Sequence, residues 1–276
     1  MKKGTVLVTG ATGFLGKRLV SHLVALGHEV VGTGFSETGI KKFEREVSKS
    51  ISIYAVDIGS DYTTLKSIIK KHKVEYIVHA AALKHVGICE DNPTQAIRVN
   101  VLGSMNVIQA ALECDVKNVI AVSTDKSIDP TCTYGMTKKL MEDIFNERQF
   151  GIFQGVNFLF SSESVLDVWD QLREQEKTIL SNPTAIRYFC TVNQVCETIA
   201  NSLDRKDVFS VGHCYKISIT NLQKAFSIYH DYWNVSEYKP LDIEKTEEEL
   251  PPGDIRISTP DISEVVSLFK EFYNEG

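Results

Sequence analysis

Short apolar runs recur through the first 150 residues and alternate with stretches whose apolar side chains return every three or four positions. The runs at 5–8, 29–33, 51–56, 76–79 and 119–122 are β-rich and too short for helices, so they predict strands. Leu15, Leu19, Leu23 and Leu26 recur at helical spacing, as do Leu65, Ile68 and Ile69 behind a candidate cap at Asp61. A longer helix is predicted to open at Pro93 and run toward Glu113, because a proline with fixed φ and no N–H suits a first turn. Another is predicted from Tyr134 to about Arg148. Strands alternating with amphipathic helices define an α/β fold, a doubly wound parallel sheet covered on both faces.

Beyond residue 155 the pattern is less regular. It predicts a strand at 156–160, a helix at 165–176, a strand at 208–211, a turn at Pro251-Pro252-Gly253 and a closing helix at 262–272. The expected organisation is a nucleotide domain at 1–155 and a small C-terminal substrate-binding lobe at 156–276, closely packed and not separable. With 276 residues, 43% hydrophobic and 24% charged, there is ample material for such a core. A formal charge of −6 gives no global basic field, which argues against nucleic acid and anionic membranes as partners and makes any phosphate site local. Met1-Lys2-Lys3 leads straight into a strand-like run, and no apolar run approaches spanning length, so a cytoplasmic protein without membrane insertion is expected. The six cysteines are scattered and show no metal-ligand spacing, so no metal is expected.

The chemistry begins where the first strand ends, at Thr9-Gly10-Ala11-Thr12-Gly13-Phe14-Leu15-Gly16. Glycines between a strand and a helix permit a tight turn and bring backbone N–H groups close to a pyrophosphate, so Gly10, Thr12, Gly13, Phe14, Leu15 and Gly16 are expected to bind a dinucleotide on a Rossmann-type fold. The cofactor is expected to be NADP, with NAD possible. Ser36 and Lys41 suit a 2′-phosphate, whereas Glu37 suits ribose hydroxyls. Asp57 and Ile58 suit an adenine contact, although an Asp at a strand end also serves as a turn former.

Tyr134 and Lys138 stand four apart and share a helix face. A lysine beside a phenol favours the phenolate and can hold the nicotinamide ribose, making the tyrosine an acid and base at a carbinol. Taken alone, this spacing is that of any helix surface. Ser123-Thr124, at the end of the preceding strand, would bring a hydroxyl to the same reacting oxygen.

These residues carry a resemblance. The sequence resembles extended short-chain dehydrogenases/reductases, and within them the inverting UDP-N-acetylglucosamine 4,6-dehydratases and their polysaccharide-biosynthesis relatives. The resemblance rests on His79-Ala80-Ala81-Ala82-Leu83-Lys84-His85-Val86, Cys89-Glu90, Asn92-Pro93, Asn100-Val101-Leu102-Gly103 and, above all, Ser123-Thr124-Asp125-Lys126 ahead of Tyr134 and Lys138. It implies catalytic roles for Thr124, Asp125, Lys126, Tyr134 and Lys138, with Asp125 and Lys126 removing water across sugar carbons 5 and 6. It also implies cofactor contacts from Ala80, Ala81, Ala82 and Asn100, and substrate contacts from Lys84, His85, Asn157 and Arg187. A UDP-sugar substrate and a homodimer or higher homo-oligomer, built from the helices after Pro93 and Tyr134, follow from the same resemblance. The second half departs from the pattern. Phe160-Ser161-Ser162-Glu163-Ser164 stands in place of a GSRGS-like loop, and Pro252-Gly253-Asp254-Ile255-Arg256 in place of PGEKxHE.

The expected function is 4,6-dehydration of a UDP-N-acetylhexosamine, with inversion at carbon 5 as a variant. A 5-epimerase or a 4-keto reductase on an already dehydrated UDP-sugar is the enzymatic alternative. A nucleotide-sensing scaffold on the same fold is the non-enzymatic one.

Overall fold

The computed structural model describes residues 3–162, 164–173, 177–180, 182, 184–231, 235–238 and 248–274. The chain opens with β1 (Lys3–Thr9), α1 (Phe14–Ala25), β2 (His28–Gly34), α2 (Glu37–Glu46), β3 (Ser52–Ala55), α3 (Tyr62–His72) and β4 (Tyr76–His79). There follow α4 (Val86–Asp91), α5 (Pro93–Ile97), a π-helical turn at Arg98–Leu102, α6 (Gly103–Glu113), β5 (Asn118–Thr124), a 3₁₀ turn at Asp125–Ser127, α7 (Thr133–Glu147) and β6 (Gly151–Gly155). The later part holds β7 (Asn157–Phe158), α8 (Val165–Leu172), β8 (Lys177–Leu180), β9 (Ile186–Cys190), α9 (Val192–Ala200) and β10 (Val208–Phe209). It closes with β11 (His213–Ser218), α10 (Ile219–Tyr229), β12 (Val235–Tyr238), β13 (Arg256–Ser258) and α11 (Ile262–Asn274).

The chain divides into two compact units. The first comprises the residues up to Gly155 together with Val192–Ser210 and Pro251–Gly253, so α9 and β10 return to it from beyond residue 155. Its seven strands run parallel in the order β10-β6-β5-β4-β1-β2-β3. The order reverses at β1, and neighbouring strands diverge to opposite sides there, which opens a crevice at their C-terminal ends. Val6, Leu7 and Val8 are fully buried because a strand inside a parallel sheet is covered on both faces. Leu7 joins Ile77, Val119 and Ile152 in a core with Leu65 and Ile69 of α3, Val107 and Ala111 of α6, and Met141 and Phe145 of α7. The other layer holds α1, which packs on α9.

In the second unit, β13, β11, β9 and β7 form a mixed sheet, and β8 pairs with β12 in parallel. Its core joins Trp169 of α8, Phe189 and Ile217 of the sheet, Leu222 and Phe226 of α10, and Val265 and Phe269 of α11.

Several elements differ from the pattern-based expectation. The helix predicted from Pro93 to Glu113 is interrupted by the π-helical turn, where the Asn100 side chain is drawn away to Leu83 and Thr137. Helices α2 and α4 were not anticipated, being short and largely exposed. The strand expected at 156–160 contracts to Asn157–Phe158, because Phe160 takes a left-handed φ of 60° that no strand accommodates. Helix α8 ends at Leu172, and residues 174–176 of the predicted helix lie outside the described residues. The strand at 208–211 shortens to Val208–Phe209 and extends the parallel sheet as its edge.

Candidate active site

The Gly10–Gly16 loop sits at the crevice of the first unit. Gly10 adopts a φ of 67°, and a β-carbon there would lie 2.8 Å from the backbone of Ala81. Only glycine allows both the left-handed turn and this approach of β1 to β4. The Ala11 amide bonds the Thr33 carbonyl at 2.8 Å, and Gly13 caps α1 without any side-chain hydrogen bond. The first-turn amides of α1 are thus left without a side-chain cap, an arrangement that fits a pyrophosphate. Thr12 lies against Gly34 and Gly39, so it joins the loop to the end of β2.

The remaining cofactor residues divide by what holds them. Ser36 caps α2, its Oγ accepting from the Gly39 amide at 3.1 Å, and Lys41 pairs with Glu37 on the exposed face of that helix. The Asp57 carboxylate accepts from Arg98 at 2.7 Å and from the Gly59 amide at 3.1 Å. Burial pushes its pKa upward, yet the bonds from Arg98, Ser60 and Gly59 prevail and hold it below its ordinary value. Ile58 is buried in the core. Asp57 thus anchors the turn after β3. Asn100, 1% exposed, bonds the Leu83 amide and carbonyl at 2.8 and 2.9 Å and donates to Thr137 Oγ at 3.0 Å. It holds the segment that carries Ala80, Ala81 and Ala82 toward the exposed Lys84 and His85. His85 caps α4, its Nδ1 accepting from the Ile88 amide at 3.3 Å.

Beneath this segment runs a buried polar chain that the sequence did not signal. The Ala81 amide donates to Thr9 Oγ, Thr9 Oγ lies 2.8 Å from His79 Nδ1, His79 Nε2 lies 3.0 Å from Ser104 Oγ, and Ser104 donates to the Asn100 carbonyl. One direction satisfies every group: Thr9 donates to Nδ1, and Nε2 carries the proton. Burial, with the Lys138 charge adding, depresses the His79 pKa to about 3.

Thr124, Asp125, Lys126 and Tyr134 come together at the C-terminal end of β5. Thr124 Oγ donates to Asp125 Oδ1 at 2.8 Å, and Lys126 Nζ lies 3.3 Å from the same oxygen. The Asp125 side chain is 1% exposed and that of Lys126 30%. A β-carbon on Gly135 would run into the Lys126 carbonyl, so the glycine after Tyr134 is what lets α7 seat against this turn. Glu90 of α4 fixes the start of α7, bonding the Thr133 amide and hydroxyl at 2.6 and 3.0 Å. Burial drives the Tyr134 phenol above its ordinary pKa. Lys126 opposes the shift, Asp125 and Cys89 add to it, and Thr124 hydrogen bonding opposes it.

Lys138 lies beneath the end of β5. It is 2% exposed, and its ammonium donates to the Val122 carbonyl at 2.7 Å and lies 3.0 Å from the Met141 sulfur. Burial lowers the Lys138 pKa to about 8, with Glu142 opposing.

In the second unit Asn157 and Arg187 meet through Glu248, which sequence reasoning missed. Arg187 Nε lies 3.4 Å from Glu248 Oε1, and Asn157 Nδ2 donates to Glu248 Oε2 at 2.5 Å. Both charged side chains are 10% exposed, so the pair is not a surface salt bridge. Of the Phe160–Ser164 loop, Glu163 lies outside the described residues, and Ser164 caps α8.

A seven-stranded parallel sheet with a glycine loop after β1 and a Thr-Asp-Lys turn facing Tyr134 defines an extended short-chain dehydrogenase/reductase. The sequence profile of a polysaccharide biosynthesis protein family matches residues 6–250, and the chain belongs to that family. It is 31% identical to an uncharacterized membrane protein of Methanocaldococcus jannaschii over 72% of this chain and 62% of that one. It is 26% identical to the inverting UDP-N-acetylglucosamine 4,6-dehydratase of Campylobacter jejuni (80% and 70% covered) and 29% identical to the UDP-glucose 4-epimerase of Rickettsia canadensis (68% and 59% covered). The chain spans from about a third to less than two thirds of the length of the first three relatives it matches. Among solved structures, Pen from Bacillus thuringiensis superposes with a TM-score of 0.87 at 24% identity, covering 98% of both chains. The dTDP-glucose 4,6-dehydratase DesIV of Streptomyces venezuelae, with NAD bound, superposes at 0.80 and 18% identity, covering 98% of both. No helix among the described residues is long and apolar enough to cross a membrane.

Proposed function

We propose that the protein is a nicotinamide-dinucleotide-dependent 4,6-dehydratase that removes water across carbons 5 and 6 of a UDP-N-acetylhexosamine. The observation that carries this reading is the pairing of Lys126 with Asp125 at 3.3 Å on a turn seated against Tyr134. The Gly10–Gly16 loop and the α1 amides hold the pyrophosphate, and Ser36 retains a hydroxyl proton for a 2′-phosphate, which favours NADP. A bound nicotinamide would supply a hydride store, accepting hydride from carbon 4 of the sugar and giving it back at carbon 6 after water has left, so that no external reductant is consumed. Tyr134 takes the carbon 4 hydroxyl proton as carbon 4 is oxidised, and Thr124 holds the same oxygen. Once carbon 4 is a ketone the carbon 5 proton is acidic; with a proton passed from Lys126 to Asp125 across their 3.3 Å pair, the neutral amine takes it, Asp125 gives its proton to the departing carbon 6 hydroxyl, and Lys126 protonates carbon 5 as carbon 6 is reduced. Arg187 suits the nucleotide phosphates with its planar fork, alongside Asn157, while Lys84 and His85 line the sugar.

Incubation with UDP-N-acetylglucosamine in deuterated water, without added reductant, tests the reading. A product lighter by one water, with deuterium at carbon 5, is expected. An isomer of unchanged mass identifies a 4-epimerase, the activity named for the Rickettsia relative, and an isomer carrying deuterium at carbon 5, formed from an already dehydrated UDP-sugar, identifies the 5-epimerase. Turnover only with added NADPH, and no deuterium at carbon 5, identifies the reductase and overturns dehydration.

A further inference from the structure

The face of α7 that carries Lys138 turns inward, and one turn further along the same face stands an acid. Glu142 is 6% exposed and lies on the same buried stripe as Lys138, Met141 and Phe145. Its Oε1 is 2.6 Å from Ser127 Oγ and accepts from Gln154 Nε2 at 3.0 Å, while Gln154 also donates to Ser127 Oγ at 2.9 Å. Ser127 closes the 3₁₀ turn and lies 2.6 Å from the Thr124 carbonyl. One carboxylate thus joins three elements: α7, the turn that bears Asp125 and Lys126, and β6.

Charge gives this junction a second consequence. Lys138 is buried with a carbonyl and a thioether as its neighbours, and an ammonium so placed, without an opposite charge nearby, costs several kcal/mol. Glu142 is the acid whose field reaches it from its own helix. From β4 the group that faces it is His79. From β5 it is the uncharged Val122 carbonyl.

We propose that Glu142 is a positioning residue of the candidate active site, which sets the Thr124–Lys126 turn against α7 through Ser127 and supplies the buried opposite charge for Lys138. The catalytic consequence rests on the proposed function. The electrostatic one does not.

The test uses the full chain with Glu142→Gln, which keeps the size and the acceptor oxygen but removes the charge, and with Ser127→Ala, which cuts the link to the turn. The Lys138 side-chain NMR signal, identified by its loss in Lys138→Arg, is followed against pH. Its midpoint is expected to fall by about one pH unit in Glu142→Gln and to stay in place in Ser127→Ala. An unmoved midpoint in a folded Glu142→Gln protein overturns the charge role. In turnover of the nucleotide-sugar, Ser127→Ala is expected to lower kcat at least tenfold with KM for the cofactor unchanged; full kcat overturns the positioning role. If the wild-type protein turns over no nucleotide-sugar, the proposed function fails, and the NMR midpoints still decide the link between Glu142 and Lys138.

Discussion

On the proposed reading, Tyr134 and Lys126 form the reactive edge of the site. Tyr134→Phe keeps the ring and removes the proton, so turnover is expected to fall by roughly 10²–10⁴-fold with cofactor affinity retained in calorimetry. Two buried groups make stability depend on pH in opposite windows. His79 ordinarily titrates at 6.5 and in the fold at about 3, so between these values the unfolded chain takes up a proton that the folded chain refuses. Its contribution is intact above about pH 6.5 and is lost as pH falls toward 3. Lys138 ordinarily titrates at 10.5 and in the fold at about 8; its burial cost is full below 8 and is relieved as pH rises through that window. Glutamine can reproduce both hydrogen bonds of His79 without titrating. Denaturant unfolding at pH 7.5 and pH 5 is therefore expected to show a smaller loss in His79→Gln than in the wild type, and an equal loss would mean that other groups carry the acid sensitivity.

The junctions between elements depend on close approach. Gly135→Ala forces a β-carbon onto the Lys126 carbonyl, so α7 and the 3₁₀ turn must part. A loss of about 1–3 kcal/mol is expected by denaturant unfolding. A fall in turnover larger than that loss explains is expected as well, because the shift moves Tyr134 relative to Lys126. Unchanged turnover would show that the seating does not matter for chemistry. Ser36→Ala removes the cap of α2 and is expected to cost about 1 kcal/mol. It should also weaken NADP about tenfold more than NAD if the hydroxyl meets a 2′-phosphate. Equal weakening in calorimetry would leave Ser36 as a cap alone.

Assembly is expected to use the apolar side chains left exposed on adjacent helices of the first unit: Ile97 of α5, Met105 of α6, and Met136 and Leu140 of α7. With α5 and α6 counted as the one interrupted helix after Pro93, that helix and α7 would form a four-helix contact with their copies. Light scattering at micromolar concentration is expected to give a dimer, and Met136→Lys with Leu140→Glu a monomer. A monomeric wild type would count against this surface.

Local rules were enough to reveal the parallel sheet, the glycine loop and the shared helix face of Tyr134 and Lys138, because strand alternation, turn chemistry and short spacings are written in consecutive residues, whereas Asp125 and Lys126 were marked by the family resemblance. The seat of Lys138 beneath β5, the bond of Arg98 to Asp57, the burial of Ile58, the polar chain through His79, and the meeting of Asn157, Arg187 and Glu248 were decided only by tertiary structure. In each case the deciding partner lies on another element, beyond the reach of a local pattern. A buried polar or charged group must take whichever partner the packing brings within reach, and no run of neighbouring residues records that choice.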